Sequence, residues 1–179
     1  RLGQLGDAMV VGDPTDIRTD VGPLIAEREV RRVDQWVNAA VAGGARLISG
    51  GRVLDYNGYA PTVLLNPPID SNVMQKEVFG PVVAVYAYDD LADAIQLANA
   101  LPYAFQAAVF TRDLDTAMQC YQDLDATAVM VNENTLFRVD WMPFAGARLS
   151  GHGVGGIPHT MKEMQIEKMM VWRSRAVRG

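Results

Sequence analysis

Residues 82–131 read VVAVYAYDDLADAIQLANALPYAFQAAVFTRDLDTAMQCYQDLDATAVMV, and this stretch decides the fold. Val82 to Tyr88 is an apolar run of strand length. Asp89 and Asp90 then offer a helix cap, and Leu91, Ile95, Ala98 and Leu101 mark a helical stripe. Phe105 to Phe110 is a second strand, Leu114, Met118, Tyr121 and Leu124 a second stripe, and Ala128 to Val131 a third strand. Strand and helix alternating at this spacing predict parallel strands joined by right-handed crossovers. The strands are continuously apolar, as expected where helices cover both faces of a sheet.

Upstream, Val30, Val33, Val37 and Val41 recur at spacings of three and four, which predicts a helix from about Ala26 to Ala42. Glu27 stands four residues before Arg31, a favourable solvent-side pair. Gly43-Gly44 closes the helix. Arg46–Ser49 and Pro61–Leu65 read as strands, with a turn at Asp55-Tyr56-Asn57-Gly58 between them. The opening segment, with Gly12-Asp13-Pro14-Thr15-Asp16 and Gly22-Pro23, reads as a loop. Downstream, residues 133–156 lack a period, and loops that long inside a compact domain are usually functional or disordered. A short helix near Pro158–Met164 and a strand over Ile166–Trp172 complete the chain. That strand has no following partner, so it is an exposed-edge candidate.

Composition narrows the function classes. The 179 residues carry 16 Lys plus Arg, 21 Asp plus Glu, 2 His and a single Cys, for a net charge of -5. One Cys excludes a disulfide within the chain, and with two His it excludes a Cys/His zinc site. The acidic balance argues against nucleic acid as partner. No apolar run of about 18 residues exists, which predicts no membrane span. A folded cytoplasmic domain is expected.

Cys120 lies mid-helix beside Met118 and Tyr121, where a thiol behaves as a small hydrophobe rather than a nucleophile. Gly151 to Gly156 matches G-x-G-x-x-G but lacks the strand before and the helix immediately after that a dinucleotide fingerprint needs. His152 and His159, seven apart across glycines and a proline, do not make a metal pair, and no metal is expected. Glu77 sits in the connection leading into the strand at Val82, and by composition alone it is a solvated carboxylate beside Lys76. Phe79, before Gly-Pro, reads by default as a core anchor. Phe137, Arg138, Asp140, Trp141 and Phe144 place aromatics beside charges, as a pocket mouth requires.

Several segments, in order, resemble the aldehyde dehydrogenase superfamily. Gly12-Asp13-Pro14 with Gly22-Pro23-Leu24-Ile25 resembles its G-D-P…G-P-L/M-I stretch. Gly58-Tyr59 with Pro61-Thr62-Val63-Leu64 follows, and then Lys76-Glu77-Val78-Phe79-Gly80-Pro81-Val82, which resembles E-E-[IV]-F-G-P-V and is the most specific of the set. Asn99–Tyr103 with Ala107–Thr111, Val131-Asn132, and Pro143-Phe144-Ala145-Gly146 with Ser150-Gly151-His152-Gly153 complete the series. Ala104-Phe105 and Ala145 depart from the pattern's Gly-Leu and Gly.

The resemblance implies an α/β fold, part of a three-layer, parallel-sheet catalytic domain over residues 1–157. It also implies a C-terminal helix and oligomerisation strand over 158–179. It implies NAD or NADP as cofactor and an aldehyde as substrate. Glu77 would accept hydrogen bonds from the nicotinamide-side ribose, and Phe79 would press on the nicotinamide region. Phe144 would line the substrate tunnel, with Phe137 and Arg138 at its mouth. The 166–172 strand would pair in a homodimer or tetramer. The nucleophilic Cys, the carboxylate base and the Rossmann-like domain would lie upstream of Gly12, so no catalytic residue is expected here. The chain would then be a fragment, inactive alone, of an enzyme that passes hydride to the nicotinamide and hydrolyses a Cys thioester. CoA-dependent acylation and a non-catalytic assembly module of the same fold are the alternatives. Arg138 suggests an anionic aldehyde.

Overall fold

The computed structural model describes residues 1–173. The chain forms two compact units that part between Asp89 and Asp90.

The first unit contains α1 (Leu2–Ala8), α2 (Glu27–Ala42), β1 (Arg46–Ser49), β2 (Thr62–Leu65), α3 (Asn72–Gln75) and β3 (Val82–Val85). The sheet order is β1-β2-β3. β1 runs antiparallel to β2, and β2 runs parallel to β3 with Thr62 opposite Val82 and Leu65 opposite Val85. The core gathers Val30, Val33, Val37 and Ala40 from α2 around Leu64, Tyr59 and Val73. The helix is where the periodicity places it, but its buried stripe ends on Ala40 while Val41 is exposed. The pair Glu27–Arg31 forms on the solvent side. At the helix end the Gly43 N–H reaches Ala39 O at 2.9 Å, and Gly44 takes φ +111°.

The 55–58 turn is confirmed. Tyr56 and Asn57 both have positive φ, and the Gly58 N–H donates to Asp55 O at 3.0 Å. Helix α1, in contrast, departs from the loop expected of the opening segment. Its buried residues are Gly3 and Gly6, and a Cβ on Gly3 would lie 2.8 Å from Ile48 Cγ2. A helix that contacts its neighbour through glycine shows no apolar period.

The second unit contains α4 (Leu91–Asn99), β4 (Tyr103–Ala104), β5 (Gln106–Val109), α5 (Leu114–Asp123), β6 (Ala128–Val131), β7 (Phe144–Ala145), β8 (Ala147–Arg148), β9 (Val154–Gly155) and α6 (Ile157–Glu163). β5 and β6 are parallel, as expected of strands joined through a helix. Asp90 caps α4 by accepting the Ala92 N–H at 2.7 Å, and Asp113 caps α5 by accepting the Thr116 N–H at 2.8 Å. The α5 stripe corrects the sequence reading. Ala117 and Cys120 are its buried residues, whereas Leu114, Met118 and Tyr121 are exposed. Cys120 is thus a buried thiol.

The aperiodic 133–156 segment holds two-residue strands, with β8 on β4 and β9 on β7, both antiparallel. Helix α6 follows. Residues 166–172 form no strand in this single chain, and Ile166, Met169, Met170, Val171 and Trp172 are exposed. An edge needs a partner to become a ladder, and no segment of the described residues supplies one. No helix among the described residues is long and apolar enough to cross a membrane.

Candidate functional site

In the first unit, the segment from Lys76 to Pro81 joins α3 to β3 and carries Glu77 and Phe79. Phe79 does not anchor the core. It adopts φ +50° and is 77% exposed. Val78, the residue before it, packs against the core cluster. Gly80, the residue after it, lies so close that a Cβ would sit 3.1 Å from Val33 Cγ2. The chain is therefore pinned on both sides of Phe79, and the ring is turned outward. Glu77 is exposed on the same turn. Lys76 is not drawn to it, since Nζ lies 5.7 Å from the Trp36 ring centroid.

Arg32 of α2 reaches this turn. Its Nη2 donates to Val78 O at 2.7 Å, and its Nε donates to Glu29 Oε2 at 2.7 Å. The guanidinium also lies 4.4 Å from the centroid of Trp36. The hydrogen bond from Arg32 holds the Glu29 carboxyl below its ordinary value. A non-glycine residue at positive φ costs about 1–3 kcal/mol. A hydrogen bond from a charged donor contributes about 1.5–3 kcal/mol, enough to hold such a turn. Sequence reading did not single out Arg32 or Trp36. Arg32 sits three residues after Glu29 and looks like an ordinary helix-surface pair.

In the second unit, the Arg138 guanidinium lies 4.2 Å from the centroid of the Phe144 ring. Phe144 in turn meets Phe105 edge-on, with centroids 5.0 Å apart. Arg138 also lines an open depression of about 370 Å³ with Asp140, Ile157, Thr160, Met161 and Met164. Its closing contact is the Ile157 N–H donating to Asp140 O at 2.9 Å. Phe137 is half exposed, on the same loop. Thus Arg138 and Phe144 are brought into contact, and Arg138 has no ion-pair partner among the described residues.

The glycine-rich segment 151–156 serves the backbone. Gly151, Gly153 and Gly156 all have φ in the left-handed half, and a Cβ on Gly156 would lie 2.5 Å from Met142 O. Ser150 Oγ accepts the Ala104 N–H at 3.0 Å and ties the segment to β4. Ala145, where the motif has glycine, is not among the positive-φ residues, so its Cβ is tolerated.

An exposed carboxylate and an exposed, backbone-strained aromatic on one turn suit a ligand with hydroxyls and a flat ring. A carboxylate is acceptor-only, and an aromatic face stacks. Each unit holds one parallel strand pair joined through a helix, as in an α/β enzyme domain. The chain belongs to the aldehyde dehydrogenase family, whose profile matches residues 1–170. It is 39% identical over 171 residues to a 3-sulfolactaldehyde dehydrogenase of Priestia aryabhattai, covering 96% of this chain and 36% of the relative. It is 39% identical over 155 residues to an NADP(+) succinate-semialdehyde dehydrogenase of Deinococcus radiodurans, covering 86% and 32%. The crystal structure of a Physcomitrella patens aldehyde dehydrogenase with the reaction product succinate superposes with TM-score 0.90 at 32% identity, covering 97% and 36%. The chain therefore spans about a third of the length of the curated relatives it matches.

Proposed function

We propose that these residues form the C-terminal part of the catalytic domain of an NAD(P)-dependent aldehyde dehydrogenase. The observation that carries the reading is the turn that offers Glu77 and Phe79 together, with Phe79 at φ +50° and its ring in the open. Glu77 accepts hydrogen bonds from the ribose on the nicotinamide side, and Phe79 braces the ring. The nicotinamide, when bound, takes up the hydride of the aldehyde carbon. A cysteine elsewhere in the enzyme forms and releases the thioester, because Cys120 is buried mid-helix and cannot meet substrate.

The substrate is an anionic aldehyde. Relatives are named for sulfolactaldehyde and succinate semialdehyde, both of which carry an acidic group beside the aldehyde. Arg138 rests over the Phe144 ring and has no ion-pair partner among the described residues, which leaves its N–H groups available for such a group. Residues 1–157 belong to the catalytic domain and those from 158 onward to a helix and oligomerisation strand, of which 174–179 lie outside the described residues. The exposed row from Ile166 to Trp172 gains its ladder from another subunit of a cytoplasmic homo-oligomer.

The test has two arms. The purified 179-residue chain should form no NAD(P)H from any aldehyde, and turnover by it would overturn the division of labour. In the complete enzyme, Glu77→Gln should raise the nucleotide KM while leaving the aldehyde KM in place. An unchanged nucleotide KM would remove Glu77 from the cofactor site.

A further inference from the structure

We infer that Arg32 is the positioning residue of the Glu77–Phe79 turn, and that it tunes nucleotide binding without itself carrying the chemistry. The inference rests on the reading of Glu77 and Phe79 given above and adds the device that sets their geometry.

The argument begins with the backbone. Phe79 has a Cβ and a large ring, so φ +50° is a conformation it leaves unless its neighbours forbid it. Val78 is fixed by its side chain in the core. Its carbonyl would otherwise be free to rotate with the Val78–Phe79 peptide. That rotation is what would let Phe79 relax, and Arg32 Nη2 blocks it by donating to the oxygen at 2.7 Å. Arg32 is itself pre-set. Its Nε is bonded to Glu29 and its face rests 4.4 Å from the Trp36 centroid, so little freedom is lost in holding the carbonyl. Glu29, Arg32 and Trp36 lie within about two turns of α2. A rigid helix thereby dictates where the Phe79 ring stands. Lysine cannot reproduce this arrangement, because it lacks the planar fork that serves a carboxylate, a carbonyl and an indole at once.

The experiment compares Arg32→Met and Arg32→Lys in the complete enzyme that carries this chain. Methionine keeps an apolar stem on Trp36 and removes every donor. Limited proteolysis without nucleotide should cut the Phe79–Gly80 bond about tenfold faster in R32M, as loss of the one charge-assisted bond that holds the turn implies. Hydrogen exchange in β3 and in the core of α2 should stay within a factor of about two. The NAD(P) dissociation constant, measured by titration calorimetry, should rise about five- to tenfold, with the aldehyde KM unmoved. R32K should fall between wild type and R32M on both readouts. Unchanged cleavage at Phe79–Gly80 in R32M would overturn the inference. So would equal losses in nucleotide and aldehyde binding, or exchange that quickens uniformly through α2, since those mark a merely structural residue. If the wild-type enzyme binds neither NAD nor NADP, the proposed function falls, while the cleavage at Phe79–Gly80 still decides whether Arg32 holds the turn.

Discussion

Phe144 meets two neighbours: Phe105 packs with it edge-to-face at 5.0 Å and 86°, and the guanidinium of Arg138 rests 4.2 Å from its centroid. The edge-to-face contact places a positive ring edge against a π face, and the cation adds its own attraction to the Phe144 ring. Arg138 is thus held over the ring. Arg138→Met in the complete enzyme should raise the KM for aldehydes bearing a carboxylate or sulfonate by about tenfold or more, the value of one charge-assisted hydrogen bond. Neutral aldehydes should change by less than a factor of about two. Steady-state kinetics on a matched pair of substrates makes the check, and equal changes for both would remove Arg138 from substrate recognition.

Tyr59 gives a prediction in alkali. Its side chain is fully buried, and its hydroxyl donates to Asp34 Oδ1 at 3.2 Å. Burial first, then the Asp34 charge and the hydrogen bond, push its ionisation well above the ordinary 10.0. A group whose native pKa is raised stabilises the fold fully below its unfolded value. That contribution is lost as pH rises from the unfolded value through the native one. Denaturant midpoints should therefore fall above pH 10, and Tyr59→Phe should flatten that fall while costing about 1 kcal/mol at neutral pH. An alkaline titration in which Tyr59 ionises together with the exposed tyrosines would contradict the account.

Elements whose signal is local were legible in the sequence. Asp90 caps where an acid precedes an apolar stripe, and Tyr56-Asn57 turns where Asn and Gly cluster. The parallel pairing of β5 with β6 followed from the helix between them. The stripe of α5 was misread because apolar spacing cannot say which face is covered: Leu114, Met118 and Tyr121 share a face that stays open, and small Ala117 and Cys120 do the packing. At the candidate site, the motif named Glu77 and Phe79 but not their support. Arg32 and Val78 are 46 residues apart, and no local pattern links a helix-surface arginine to a distant carbonyl.

Gly50 tests a close approach between β1 and β2. It adopts φ +72°, and a Cβ there would stand 2.3 Å from Pro61 O and 2.6 Å from Thr62 Oγ1. Both conformation and space exclude a side chain. Neither neighbour can withdraw cheaply, because Pro61 O is backbone and Thr62 Oγ1 is engaged with the Gly51 N–H at 2.8 Å and Ala60 O at 2.7 Å. Gly50→Ala should destabilise by about 2–4 kcal/mol, in the range of strained backbone combined with overpacking. Urea unfolding would measure it, and a loss below about 0.5 kcal/mol would mean that the strands separate more easily than their register implies.

Arg148 carries the last prediction, because three otherwise separate segments converge on it. Its Nη1 donates to Asn99 O at 2.9 Å and to Leu101 O at 2.6 Å, at the end of α4, and its Nη2 pairs with Asp125. Asn99 also bridges the same region: its side chain donates to Asp123 O at 2.7 Å and accepts the Asp125 N–H at 2.8 Å. The carbonyls at a helix end have no intrahelical partner, so a cation that collects two of them satisfies groups that water alone would otherwise have to serve. Arg148 does this at φ +55°, from the strand that pairs with β4, only four residues from Phe144. Arg148→Met should cost about 2–3 kcal/mol in urea unfolding, since it strips charge-assisted bonds from two carbonyls and a carboxylate. In the complete enzyme the damage should extend to Phe144, which we place along the substrate path, lowering kcat/KM for every aldehyde together, neutral and anionic alike. Arg148→Lys, which can serve one or two of the three acceptors, should recover part of both losses. A variant that unfolds earlier yet keeps full kcat/KM below its transition would show that the Phe144 wall is held without the clamp.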